Sequence, residues 1–314
     1  MSNRNESRPC FTSPLPPALP ARRSFPLPRN AAITHRAPPA RKRLRARVAP
    51  RMGDSVDGGT MPSFPDDEPQ AVQFFNASKQ PDSVDESALV ELPLFPLQLV
   101  LMPAMNLPLH IFELRYRLLF NRLRDGDARF GIVLYDANTS SLAQVGCSAE
   151  LTRFEPLPDG RIMTDNVGRR RFEIVKIIDE KPYTRALVRF FDDKAPGGDL
   201  SSLVKEVSLA LQDVLRLSNK LYDKVLDLSP DIKRLAPNGQ IPQTDDSGWP
   251  SPSMVQEFSF SVCQVLDMPL KEQQILLQID DTAARLRRQE KMLDTARKYL
   301  AAQVTIKEAG LGQL

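Results

Sequence analysis

The hydrophobic pattern of this chain changes period once, at Pro196-Gly197-Gly198, and that switch limits the fold more than any other feature. Before it, apolar residues alternate. Val145, Cys147, Ala149 and Leu151 form one such series; Ala186, Val188 and Phe190 form another, set against Arg185 and Arg189. A period of two is that of a strand with one face buried. After it, the period is the 3.6 of a helix with one apolar face. Strands first and helices afterwards make an α+β chain.

The strand-periodic part begins near Leu89. Residues 92–101 are apolar and broken by prolines, as in short strands or a strand and turn. Phe112, Tyr116, Leu119 and Leu123 share one helical face, which predicts a helix over residues 111–124 that stops at Asp125-Gly126. Residues 130–135 read as a buried strand. Asp159-Gly160 predicts a hairpin leading into a strand over 161–167, with another over 173–178 and a last one at Ala186–Phe190. About six short strands in this span point to a small, partly closed antiparallel barrel carrying one helix.

The helix-periodic part predicts helices over 200–226 and 253–266, with Ser253 as N-cap and Gln256 three positions on. Between them, 229–251 reads as a polar loop holding the only tryptophan, Trp249. Pro269 would open one long final helix reaching about residue 307. Ile279, Leu286, Leu293 and Leu300 recur every seven residues, but the positions between them are Ala283, Glu290 and Arg297. With half the seam polar, the helix is expected to pack on its own bundle; a coiled-coil dimer is the competing reading.

Charge divides the chain differently. Residues 1–53 hold twelve Lys/Arg, ten prolines and a single acid, Glu6, and everything after residue 53 carries net −8. A basic, acid-poor leader without an apolar core reads as an organelle transit peptide. Its prolines oppose the amphipathic helix of a mitochondrial leader, so the plastid stroma is the expected destination, with cleavage between residues 45 and 53. Mitochondrion and nucleus are the alternatives, the latter because of the basic run at residues 41–47. Residues 54–88, acidic and aperiodic, read as a flexible linker. A barrel domain over 89–195 and a helical part over 196–314 complete the organisation. No run of 18 apolar residues occurs, so no membrane helix is expected.

Catalytic signatures do not appear. There is no Gly-x-x-x-x-Gly-Lys-Ser/Thr phosphate loop, no Gly-x-Gly-x-x-Gly and no Gly-x-Ser-x-Gly. The histidines are His35 and His110, and the cysteines Cys10, Cys147 and Cys263, without a Cys-x-x-Cys pair. A Cys147/His110 nucleophile pair is the one enzymatic arrangement open on sequence. Asp192-Asp193 and Asp280-Asp281 read as solvated acids. No catalytic residue, cofactor or metal is expected.

An ordered series of motifs runs from Glu91 to Asp193: Leu92-Pro93-Leu94-Phe95-Pro96, Met102-Pro103, Leu107-Pro108-Leu109-His110-Ile111-Phe112-Glu113, Arg115-Tyr116, Phe130-Gly131-Ile132-Val133, Val145-Gly146, Pro158-Asp159-Gly160-Arg161, Val167-Gly168, Arg171-Phe172 and Pro182-Tyr183. With Glu272–Leu277 and Arg285-Leu286, it resembles the substrate-binding (N-terminal) domain of the Lon protease family. The resemblance covers residues 89–300. It implies a PUA-like β-barrel followed by a helical bundle, acting as a free-standing recognition domain without Lon's ATPase or peptidase. The family often has Pro-Gly where this chain has Pro103-Ala104, and Phe-Glu-Pro-Arg-Tyr where it has Phe112-Glu113-Leu114-Arg115-Tyr116.

Most motif residues read as structural: Phe95, Ile111, Phe112 and Phe130 as core, Glu113 as a partner for Arg115, Arg117 or a backbone amide. The resemblance implies binding of unfolded or tagged client proteins in protein quality control, with an organellar protease as recipient. Such binding needs exposed apolar surface, and Met102, Met105 and Leu107 are the expected contacts, with Trp249 as a second anchor. RNA binding by the PUA-like barrel is the alternative, through Arg169, Arg170 and Arg171, although a barrel of balanced charge disfavours nucleic acid. Oligomeric state is open.

Overall fold

The barrel is built along one strand. In the computed structural model, which describes residues 71–77 and 88–309 apart from Lys224, Leu226, Ser247 and Asp267, β6 (Ile162–Asp179) runs for 18 residues. β5 (Val145–Pro156) pairs along most of its length. Its other edge is shared: β2 (Asn106–Ile111) takes the first half and β7 (Arg185–Phe191) the second. β1 (Leu89–Leu97) follows β7, β3 (Arg129–Asp136) follows β5, and β1 pairs with β3 to close the barrel. The short β4 (Ser141–Leu142) lies on β3. The pairing is antiparallel as expected, except that the closing β1–β3 pair is parallel.

The two strands expected over 161–167 and 173–178 are both part of β6. The tract between them is a β-bulge: Ala149 faces Gly168 but Cys147 faces Arg171, so β6 carries one extra residue there. The Ser148 hydroxyl fills the gap, accepting from Arg170 N and donating to Arg170 O, both at 3.0 Å.

α1 (Leu114–Asp125) begins later than expected, because Ile111 is still in β2. Tyr116, Leu119, Phe120 and Leu123 plug the barrel. Phe95 meets Tyr116 at 4.2 Å between ring centroids, and Phe120 meets Phe130 at 5.0 Å. Phe112 precedes the helix, so the 3.6 period does not apply to it; it is 64% exposed, contrary to the core placement expected of it.

Ahead of β2, Met105 N donates to Met102 O (3.2 Å), closing a turn with Pro103 and Ala104 at its corners. Ala104 stands at φ 61°, the left-handed corner that a turn of this kind normally gives to glycine. This explains the Pro-Gly of the family pattern. Ala104→Gly is expected to raise stability by about 0.5–1 kcal/mol, since relief of the Cβ strain exceeds the entropy glycine adds to the unfolded chain. An unchanged or lower urea midpoint would contradict this.

Six α-helices are formed among the described residues, counting α1: α2 (Ser201–Tyr222), α3 (Pro230–Leu235), α4 (Pro252–Val265), α5 (Leu270–Gln278) and α6 (Thr282–Glu308) follow it. The stretch expected to be polar loop contains α3, with Pro230 in its first turn and the Ser229 hydroxyl accepting from Ile232 N (3.3 Å). α4 is preceded by Ser251 rather than capped by Ser253, and Ser251 makes no side-chain cap bond.

The long final helix is two helices, broken at Ile279-Asp280-Asp281. The last carbonyls of a helix have no partners within it. Here Leu277 O accepts from Arg171 (3.0 Å), and Ile279 O accepts from Arg171 (2.6 Å) and Arg285 (2.8 Å). The Asp281 carboxylate then caps α6 by accepting from Ala283 N (2.8 Å).

Leu286 and Leu293 of α6 pack with Val204, Val207 and Leu211 of α2, so the heptad seam is buried within the chain's own bundle. Ile279, its expected first member, lies in the break. The barrel core takes in Phe260, Met268, Ile275, Leu276 and Met292 from the helical half. A second core lies wholly within the helical half, so the change of secondary structure at 195/196 does not coincide with the boundary between the two cores.

The transit peptide expected over 1–53 lies outside the described residues. Within the expected linker, residues 71–77 lie against the sheet edge rather than apart from the fold.

Candidate recognition surface

The exposed contacts expected at Met102 and Leu107 are not surface: they are 2% and 8% exposed. The 102–105 turn is laid onto β6, with Ala104 N donating to Gly168 O and Gly168 N to Met105 O, both at 2.9 Å. That contact turns Met102 inward, and Met105 is half-buried against the same core. Leu107 takes the inward register of β2. Trp249 is 42% exposed. Its loop is a tight turn in which Asp245 N donates to Trp249 O (2.8 Å) and Trp249 N to the Asp245 carboxylate (3.1 Å).

A group of exposed apolar side chains sits elsewhere, around the start of α1. Phe112 and Leu114 are 64% and 77% exposed, and Leu118 is exposed one turn beyond Leu114 on the same helical face. Met163 of β6 is also exposed, opposite His110 of β2 in the sheet register, and the His110 and Phe112 rings lie 6.3 Å apart. Charged pairs border this patch. Glu113 and Arg115 are ion-paired at 2.9 Å, the pairing expected of Glu113, and Asp159 and Arg161 at 2.6 Å. Arg117 covers Gly160, which stands at φ 81° in the hairpin. An apolar centre with a charged rim is the arrangement of a protein-contact surface. Sequence reasoning missed it because Phe112 falls in phase with Tyr116 if the helix is begun too early. The signal available was the Leu114 departure, where the family pattern has proline.

The three arginines do not form one basic surface. The bulge leaves Arg169 and Arg170 outward and turns Arg171 inward. Arg169 pairs with Glu150 (2.6 Å), and Arg170 pairs with Asp192 (2.8 Å) beneath its stacking on Phe190. Arg171 is buried with Arg285 and Asp193, their side chains 1%, 0% and 3% exposed. Asp193, expected to be solvated, bridges both guanidinium groups and accepts from Thr282. Burial pushes its carboxyl up, but Arg285, Arg171 and Thr282 outweigh that and hold it below the usual carboxylate range. Phe260 lies under both guanidiniums, 5.2 Å from Arg171 and 4.0 Å from Arg285.

The Cys147/His110 pair is not brought together. Cys147 is fully buried, its thiol pushed up to about 12 by burial, whereas His110 is on the exposed face of β2. Cys263 is likewise buried, and both thiols are free. Among the described residues no three His, Cys, Asp or Glu side chains gather as a metal site, and no helix is long and apolar enough to cross a membrane.

The family model for the substrate-binding domain of ATP-dependent protease La (LON) matches residues 91–295. A Lon protease of Cytophaga hutchinsonii is 28% identical over 201 residues, covering 62% of this chain and 23% of that protein. A Lon protease of Flavobacterium johnsoniae is 24% identical over 149 residues, covering 45% and 18%. The chain thus spans less than a quarter of the length of these relatives. Among solved structures, a Lon N-terminal domain protein from Xanthomonas campestris superposes with a TM-score of 0.44 at 20% identity, covering 63% of this chain and 95% of that one. With the match extending over most of the residues described, from the barrel into α6, the chain belongs to the ATP-dependent protease La (LON) substrate-binding domain family.

Proposed function

We propose that this protein is a non-catalytic recognition module that binds exposed apolar segments of unfolded polypeptides through Phe112, Leu114, Leu118 and Met163. The observation that carries this reading is the exposure of Phe112 and Leu114 beside a charged rim in a substrate-binding-domain family. Large apolar side chains this exposed pack little in the free protein, and desolvating them against a client is favourable. Buried, unactivated thiols and the lack of a phosphate loop support a role without chemistry. In this reading the module acts as an adaptor in plastid quality control, handing its client to an organellar protease. Trp249, exposed on its constrained turn, is the second contact we assign.

The test is a titration of the full chain against a labelled, permanently unfolded model protein. Phe112→Asp with Leu114→Asp is expected to weaken binding about ten-fold or more, as loss of an apolar anchor does. The melting temperature should stay within about 2 °C, because both side chains are mostly exposed. Unchanged affinity would remove the patch from the reading. A parallel titration with single-stranded RNA decides the alternative: binding to RNA alone, weakened by salt, would replace protein recognition with RNA recognition.

A further inference from the structure

Residues 71–77 dock on the sheet edge in a way that carries a separate inference. Four hydrogen bonds to described residues hold the backbone of this segment. Gln144 N donates to Gln73 O (2.7 Å) and Phe75 N to Leu142 O (2.8 Å), with Phe74 bridging antiparallel to Ala143. The other two use one side chain. The Gln278 amide accepts from Gln73 N (3.2 Å) and donates to Ala71 O (2.9 Å), presenting the acceptor and donor of a neighbouring strand from the end of α5. None of the four contacts reads a side chain of the segment. Only Val72 and Phe75 pack against the core; Ala71, Gln73, Phe74, Asn76 and Ala77 are exposed.

We propose that the edge formed by Leu142–Gln144 and the Gln278 amide is a receptor for an extended polypeptide, by strand addition, and that residues 71–77 occupy it in cis. Backbone recognition supplies affinity without sequence, and the seats of Val72 and Phe75 select an apolar residue at two positions three apart. The occupying segment buries little, so it belongs to the weakly held part of the fold. It prevails because it is tethered, which gives it an effective concentration on the order of millimolar. The ligand class is an extended segment of a protein with the pattern apolar-x-x-apolar. This second site does not depend on the α1 patch.

The probe is a fluorescein-labelled peptide of residues 69–77, added to the full chain and to a full-chain variant carrying Val72→Asp and Phe75→Asp. The variant is expected to bind the peptide about ten-fold more tightly than the wild type, because its own segment no longer competes. Adding Gln278→Ala to that variant should reverse the gain, and an unrelated peptide with apolar residues at the same spacing should displace the probe. Equal binding to wild type and variant, no binding to either, or indifference to Gln278→Ala would overturn the proposal. Hydrogen exchange on the wild type tests the same point without substitution. The Phe75 and Gln144 amides should exchange together and about ten-fold or more faster than the barrel amide of Leu94, which donates to Thr184 O (2.8 Å). Protection equal to that of Leu94 would make residues 71–77 a permanent strand and refute an exchangeable occupant.

Discussion

Asp193→Ala is expected to destabilise the protein by about 3–5 kcal/mol, the cost of removing one member of a buried ion network. The carboxylate pairs with both Arg171 and Arg285, whose side chains are almost wholly excluded from water. Neither guanidinium can withdraw. Arg171 is tied to Leu277 O and Ile279 O, and Arg285 to Ile279 O and Ser259 Oγ (2.8 Å). Without Asp193, two like charges would share a buried site. Arg171 is already held below the ordinary arginine value, by burial first and by Arg285, with Asp193 opposing. The strain would fall where barrel and helices meet, so both halves should lose cooperativity together.

The sign of the pH dependence follows. Because the folded carboxyl of Asp193 lies below its unfolded value, its contribution to stability is fully present above the unfolded value, about 4, and is lost as pH falls through the folded one. Urea midpoints from pH 7 to pH 3 should show a decline in the wild type that is smaller in Asp193→Ala. Asp193→Asn, which keeps the shape but not the charge, should resemble the alanine variant. A variant within about 1 kcal/mol of wild type at pH 7 would mean that the network does not hold the halves together.

What was legible in the chain was local. The alternation of Ala186, Val188 and Phe190 marks β7, Asp159-Gly160 marks the β5–β6 hairpin, and Tyr116, Leu119 and Leu123 mark the inner face of α1. What was not legible depends on contacts distant in sequence. Asp193 reads as a solvated strand-end acid until Arg285, 92 positions away, is brought to it. The break between α5 and α6 has no proline or glycine to announce it; Asp281 caps α6, and two arginines, one of them more than a hundred positions away, take the carbonyls left at the end of α5. Arg169–Arg171 looks like a basic cluster because sequence does not show the bulge that turns Arg171 inward. The site was misread for a related reason. Methionines at 102 and 105 look adaptable, yet their turn is held to β6, whereas Phe112 looks like core and is free. Val72 and Phe75 are too few to reveal a docked segment within an acidic stretch.

The hold of that turn on β6 makes the second large effect predictable. Gly168→Ala is expected to cost about 3 kcal/mol, the upper part of the range for overpacking a closed site. A Cβ at Gly168 would point at the Met102 carbonyl oxygen, far inside van der Waals contact, with Leu101 close behind it. The obstacle is backbone, which a rotamer change cannot clear. Moving it means breaking the paired bonds of Gly168 to Ala104 and Met105, and with them the support of the turn that feeds β2. Met102 and Leu101, both buried, would be drawn out of the barrel core. Gly197→Ala is the matching control, since a Cβ there meets nothing within 4 Å, and it should change stability by less than about 0.5 kcal/mol. Denaturation of the two variants side by side separates a requirement for close approach from a general effect of replacing glycine. Equal, small losses would show that the turn yields easily, which would restore Met102 and Met105 as residues able to reach the surface and meet a client.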